Sequence, residues 1–382
     1  MTPTSPAAAP ETLTQWQPTW SPDKTDPGLP PITLITDPHD HPDYTTTALA
    51  AHQPAAGRIA VHPTPLATAP AYLAQDLIRA LGKHLPPSDT EPPWWTGNAD
   101  ESWRVAAAWT QALGISHYVI CRAHRITARH LEHLMALREH TRIQLTLVVS
   151  GPTPAALAPI LKAVPHHPTE ALESARLHLQ TGQQQTSAPA GHDHWWHPAP
   201  LPAPEDEPWY ELPPRPRRPA VVTPRQGAPA RPSVDRPHPI VIALPAFTHP
   251  DDYPGTSHQA VAQRIHTRIA HPVHAAAVAA RVLAGYDTEQ LSQITLSTPQ
   301  RPSADLPANL PAWMLPLQEA ARIYTELQGH IRTDLPAHLS GANRPFRLTS
   351  WEQDDVAHAT ETCRLIPAPI RKRPSNPRKR RP

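Results

Sequence analysis

HYVICRAHRITARHLEHLMALREHTRIQLTLVVSG, residues 117–151, is the stretch on which the fold turns. HYVIC (117–121) is an apolar, β-branched run of the kind buried on both faces of a parallel sheet. Thr127 stands where an N-cap hydroxyl would serve the first turn of a helix. Ile126 precedes it and Leu131 takes the fourth helical position, the spacing of a hydrophobic staple. IQLTLVV (143–149) is a second strand. Strand, capped helix and strand in this order predict a βαβ unit.

The pattern extends upstream. ITLIT (32–36) and RIAVH (58–62) are strand candidates, and DPHDHPDY (37–44) between them reads as a polar turn. AYLAQDLIRALG (71–82) places Leu73, Leu77 and Leu81 on one helical face with Gly82 at its end. After the loop KHLPPSDTEPPWWTG, Asp100 is the expected N-cap of ESWRVAAAWTQALG, whose stripe runs through Trp103, Ala106, Ala107 and Leu113. Downstream, Thr153 and Pro154 open a helix expected to run through Val164. Residues 31–180 are therefore read as an α/β domain with a mostly parallel sheet and flanking helices.

The rest of the chain differs in kind. The chain as a whole has 54 prolines and only two phenylalanines, too little apolar material to order its full length. Residues 1–30 form a Pro-rich arm, and 181–238 read as an extended, disordered linker. Residues 239–366 are mainly helical, with a strand-like IVIAL (240–244) and helices expected at 256–270, 272–285, 288–294 and 312–331. Pro272 at a helix start and Gly285 at its end follow the usual asymmetry. Asp287 with Gln290 fits a capping box.

Net charge is +1, which gives no overall attraction to nucleic acid or membrane. The distribution is uneven. The first 60 residues carry Glu11, Asp23, Asp26, Asp37, Asp40 and Asp43 against Lys24 and Arg58. The tail 367–382 contains Arg371, Lys372, Arg373, Arg378, Lys379, Arg380 and Arg381 and no acid, a cluster suited to contacting a DNA backbone without reading its sequence. Arg215, Arg217 and Arg218 form a second basic patch. Two cysteines provide no disulfide framework. The first residues have neither the basic nor the apolar region of a secretory signal, and no apolar run approaches the ~18 residues of a membrane span. A soluble, cytoplasmic protein is expected. Arginine outnumbers lysine 29 to 5, a bias that points to a bacterial genome rich in G and C.

Residues 57–151, about a quarter of the chain, resemble the core of AAA-type P-loop ATPases that assist transposases and plasmid systems. The resemblance lies in the order of elements: an acid-bearing strand, a helix, then a strand ending in a sensor residue. It implies a P-loop-like sheet, and it aligns TPLATAPA (64–71) with the phosphate loop. There Thr64 and Ala69 replace the two glycines, Pro70 the lysine and Ala71 the magnesium-binding hydroxyl. Cys121 and Arg122 replace the acid pair of the next motif, His124 and Arg125 follow it, and Ser150 lies near the sensor position. With lysine and both acids missing, phosphoryl transfer is not expected, and no catalytic residue, cofactor or metal is assigned. The resemblance implies a non-catalytic accessory or scaffold protein that binds a transposase- or plasmid-type partner. The same periodicity also fits an α/β domain unrelated to that family.

Other features have plainer readings. Cys121 in an apolar strand reads as a buried, inert thiol. Trp94, Trp95, Trp103 and Trp109 fit core packing better than a base-stacking platform. His192, Asp193, His194 and His197 have no metal-family spacing, and 25 histidines make such clusters common. VHAAAVAARVLAGYDTEQLSQITLST has the cadence of a helix-turn-helix, so the alternative function is a DNA-binding regulator working through 272–299. Pro299 and Pro302 interrupt the segment that would read DNA.

Overall fold

The computed structural model describes residues 20–22, 26, 28–65, 67–85, 93, 95–181, 210–211, 258–284, 312–328, 356–360, 363 and 365–366. The chain divides into two compact units. The first comprises residues 1–81, 86–189 and 319–342, and the second 82–85, 190–318 and 343–382.

The first unit is an α/β layer. Its strands are β1 (Ile32–Asp37), β2 (Arg58–Val61), β3 (His117–Ile120), β4 (Gln144–Ser150) and β5 (His166–Thr169). All four pairings are parallel, in the order β2-β3-β4-β1-β5. Its helices are α1 (Pro42–Ala50), α2 (Pro70–Ala80), α3 (Ala99–Ala112), α4 (Ala128–Thr141), α5 (Ala158–Ala163) and α6 (Leu172–Thr181).

Strand order decides where the helices go. From β1 the chain passes β4 and β3 to reach the far edge, whereas from β4 it crosses β1 to reach the opposite edge. Right-handed crossovers leaving in opposite directions place their helices on opposite faces. Accordingly α1 packs with α6, and α2, α3 and α4 pack with one another. Ile35, Ala60, Val119, Cys121 and Val148 join Ala48 and Ala51 of α1 and Ala175 and Leu179 of α6 in one core cluster. The alternate strand residues serve the other face. There the Tyr118 hydroxyl lies 2.8 Å from Thr110 Oγ1 of α3.

At the amino end of the sheet sits a buried polar group. Arg58 donates to the Leu179 carbonyl in the last turn of α6, a favourable end of a helix for a cation. His117 Nε2 is 2.9 Å from Thr146 Oγ1, which is 3.4 Å from His178 Nε2. Burial, then the nearby Arg58 and His178, push the His117 pKa down to about 3.

Several boundaries differ from expectation. DPHDHPDY is only half a turn: its last three residues open α1, with the His41 ring accepting from Asp43 N at 3.3 Å as an unconventional cap. The cap of α3 is Asn98, not Asp100, because Asn98 Oδ1 accepts from both Asp100 N and Glu101 N. The two acids then sit in the first turn, where they favour the helix dipole. Thr127 does cap α4 within a capping box, but His130 takes the place of the usual Glu or Gln. Thr153 caps nothing. Pro154 to Leu157 form a turn, and α5 begins only at Ala158.

In the second unit the described elements are α7 (His258–Arg268), α8 (Pro272–Ala284) and a two-residue parallel pair, β6 (Tyr210–Glu211) with β7 (Leu365–Ile366). Residues 271–280 are buried all round, as in a central core helix. Lys83 Nζ donates to the His266 carbonyl at 2.7 Å, and burial drives its pKa well below that of a free lysine. A further helix, α9 (Leu315–Leu327), follows a short 3-10 turn. Its Tyr324 hydroxyl donates to Glu101 Oε2 at 2.5 Å within the first unit. Gly285, the 288–294 helix and IVIAL lie outside the described residues.

Candidate functional site

In an open parallel sheet, ligands bind beyond the carboxyl ends of the strands, where two neighbours send their chains in opposite directions. Here that point lies between β1 and β4. Gly151 N donates to Asp37 O at 2.7 Å and ties the two strand ends together. β3 ends beside β4, so the turn Cys121–Arg125 borders the same crevice.

The side chains there form a small charged set. Asp37 is 1% exposed, and its Oδ1 accepts from His39 N at 3.1 Å. Asp40 and Arg122 both adopt left-handed backbone, at φ 52° and 49°. Among the described residues only Arg142 joins them in that region without being glycine. Arg122 Nη2 is 3.8 Å from Asp40 Oδ1. The Ser150 side chain, then the Arg122 and Arg125 charges, hold the Asp40 carboxyl below its ordinary range. Ser150 N donates to His124 Nδ1 at 3.0 Å, which leaves the His124 proton on Nε2. Burial, then Arg125, lowers the His124 pKa, so the ring is neutral near pH 7.

The turn aligned with the phosphate loop lies elsewhere, at the end of the edge strand β2. It is fastened from three sides. Asp76 of α2 accepts from Thr64 N and Thr64 Oγ1, both at 2.7 Å. Trp103 Nε1 donates to Pro70 O at 3.1 Å. His130 Nε2 lies 2.9 Å from Ala69 O, while His130 Nδ1 accepts from Thr127 N. His130 is therefore the Nε2–H tautomer. Ala69 and Pro70 keep ordinary extended and helical backbone, and among the described residues of the turn none is left-handed to turn successive amides toward an anion.

The structure thus brings Cys121, Arg122, His124, Arg125 and Ser150 together, and keeps Thr64, Ala69, Pro70 and Ala71 apart from them. It adds Asp37 and Asp40, which sequence reasoning left in a polar turn. The available signal was an acid-rich segment directly after an apolar strand. Cys121 is buried and its thiol is pushed up to about 12 by desolvation. Trp95, Trp103 and Trp109 are buried. No three His, Cys, Asp or Glu side chains among the described residues are grouped to hold a metal. Among those residues, too, no helix is long and apolar enough to cross a membrane.

Arg371, Lys372, Arg373, Arg378, Lys379, Arg380 and Arg381 lie outside the described residues, as do Trp94, Arg215, Arg217, Arg218 and the histidines at 192–197. The same holds for the helix-turn-helix candidate beyond Ala284. Comparison with protein-family models, curated proteins and solved structures finds no match for this chain.

Proposed function

We propose that this chain is a non-catalytic accessory or scaffold protein of the cytoplasm. Its ATPase-like α/β unit binds a protein partner, in the mobile-element or plasmid setting that the resemblance implies. One observation carries this reading: the Asp40 carboxylate, 3.8 Å from Arg122 Nη2, occupies the crevice in which such a fold would seat an anionic ligand. Asp37 and Asp43 add negative charge to the same loop, and its sequence contains no lysine. A phosphate chain approaching Arg122 would meet the Asp40 carboxylate already placed beside it.

Calorimetry of the full chain with ATP and magnesium tests this. Heat should be undetectable at millimolar nucleotide. Micromolar binding that Arg122→Gln abolishes would end the scaffold reading.

DNA contact through the basic tail is the second part of the proposal. Seven cations within twelve residues bind a phosphate backbone chiefly by releasing counterions, so affinity falls steeply with salt. Deleting residues 367–382 should remove most DNA affinity and flatten its salt dependence. Retained affinity with a preferred sequence would instead favour a regulator acting through 272–299.

A further inference from the structure

A scaffold needs no residue strained at its crevice, yet Asp40 and Arg122 both sit in the left-handed region there, one at the end of β1 and the other at the end of β3. Neither is glycine, so surrounding contacts must hold each in place. For Asp40 the contact within ion-pair distance is the Arg122 guanidinium at 3.8 Å, and the Ser150 side chain and the Arg125 charge also favour its ionised form. The Ser150 amide is already spent on His124 Nδ1, so its hydroxyl is the group left to face an incoming oxygen. The corner is accessible. The Asp40 side chain is 57% exposed and that of Arg122 24%.

We propose that Arg122, His124, Arg125 and Ser150 form a carboxylate-binding site. In this structure the chain's own Asp40 occupies it, and a carboxylate from another molecule competes for it.

The charge balance favours a carboxylate over a phosphate. Arg122, the one cation within ion-pair distance of Asp40, matches one negative charge, and Asp37 remains in the loop after Asp40 is displaced, whereas Asp43 is paired with Arg176 at 3.9 Å. A dianion would face more repulsion from Asp37 than a monoanion. The carboxylate can come from an acidic side chain or C-terminus of a protein partner, or from a small organic acid. The proposal deepens the scaffold reading by naming what the crevice recognises, but the two fail separately: micromolar ATP binding would end that reading, whereas acetate affinity unchanged by removing Asp40 would end only this one.

The test titrates the full chain with acetate, with an acidic peptide and with inorganic phosphate, followed by calorimetry and by the amide resonances of Ser150 and Gly151. Asp40→Gly removes the occupant and tolerates a φ of 52°. Asp40→Asn removes the charge and keeps the shape, so a loosened loop in the glycine variant cannot obscure the result. Both variants should bind acetate at least tenfold more tightly than the wild type, and adding Arg122→Gln should abolish the gain. A peptide that binds more tightly than acetate assigns the carboxylate to a protein partner, and equal affinities assign it to a small acid. Three results would overturn the proposal: equal acetate binding with and without Asp40, a gain that survives Arg122→Gln, or phosphate outcompeting acetate.

Discussion

Two turns leave the carboxyl edge of the same sheet and differ in almost every physical respect. The turn after β2 is pinned by Asp76, Trp103 and His130, each from a different helix, and none of its described residues is left-handed. The turn after β1 holds Asp40 in a left-handed conformation and presents exposed Pro38, His39, Asp40 and His41. The first follows an edge strand and the second a strand with neighbours on both sides. A loop's place in the sheet decides whether it can serve a ligand, whatever its length or its resemblance to a known motif.

The sharpest way to break this contrast is to unfasten the pinned turn. Asp76→Ala leaves Thr64 N and Thr64 Oγ1 without their charged acceptor. Hydrogen bonds to charged groups are worth about 1.5 to 3 kcal/mol each, and since Thr64 is exposed and water can replace part of both, the variant should lose about 2 to 3 kcal/mol in urea unfolding. Thr64→Val in the same background should then cost almost nothing further. A loss under about 0.5 kcal/mol, the size of an ordinary surface change, would show that the turn is not held as described.

A smaller effect should appear with acid. Burial lowers the His130 pKa from its ordinary value, against weaker raising effects from Ala69 and Asp76. The unfolded chain therefore takes up the proton first. The stability contributed by neutral His130 is complete above about pH 6.5 and is lost as pH falls toward the lower folded value. Protonation would also remove the acceptor that Nδ1 offers to Thr127 N. His130→Gln, a standard capping-box residue, should thus lose less stability than the wild type between pH 7 and pH 5, as read from paired melting curves. Parallel curves would place the acid sensitivity elsewhere, with His117 the next candidate.

Much of the α/β unit is legible residue by residue. Four strands lie where apolar, β-branched runs predict them, and Thr127 caps α4 through its hydroxyl as its position implies. What stays hidden follows from physics that a linear pattern does not carry. β5 is HHPT, which has no apolar alternation and is specified by pairing with β1. α1 has a proline at its start and Asp43 in its first turn, but its cap is a histidine and PDYTTT carries no apolar stripe, so the helix is hard to tell from the polar turn before it. Strand order is not written in any local stretch. Without it, Cys121, Arg122 and Ser150 could be placed near one another, but the loop facing them was sought after β2 and not after β1. Asp40 was missed for that reason.

The central position of β1 also has a consequence for how the chain is made. Ile32–Asp37 pairs only with β4 and β5, whose residues are added about 110 positions later. At elongation rates of roughly 5–20 residues per second, ITLIT waits about 5–20 s for its first partner on the ribosome. An apolar strand with bare edges is the usual seed of misassembly during such a wait. DPHDHPDY follows it directly, three acids and two prolines in eight residues. Charges and prolines flanking an unavoidable apolar strand act as gatekeepers against association. The loop that borders the crevice in the finished protein thus also shields the nascent one.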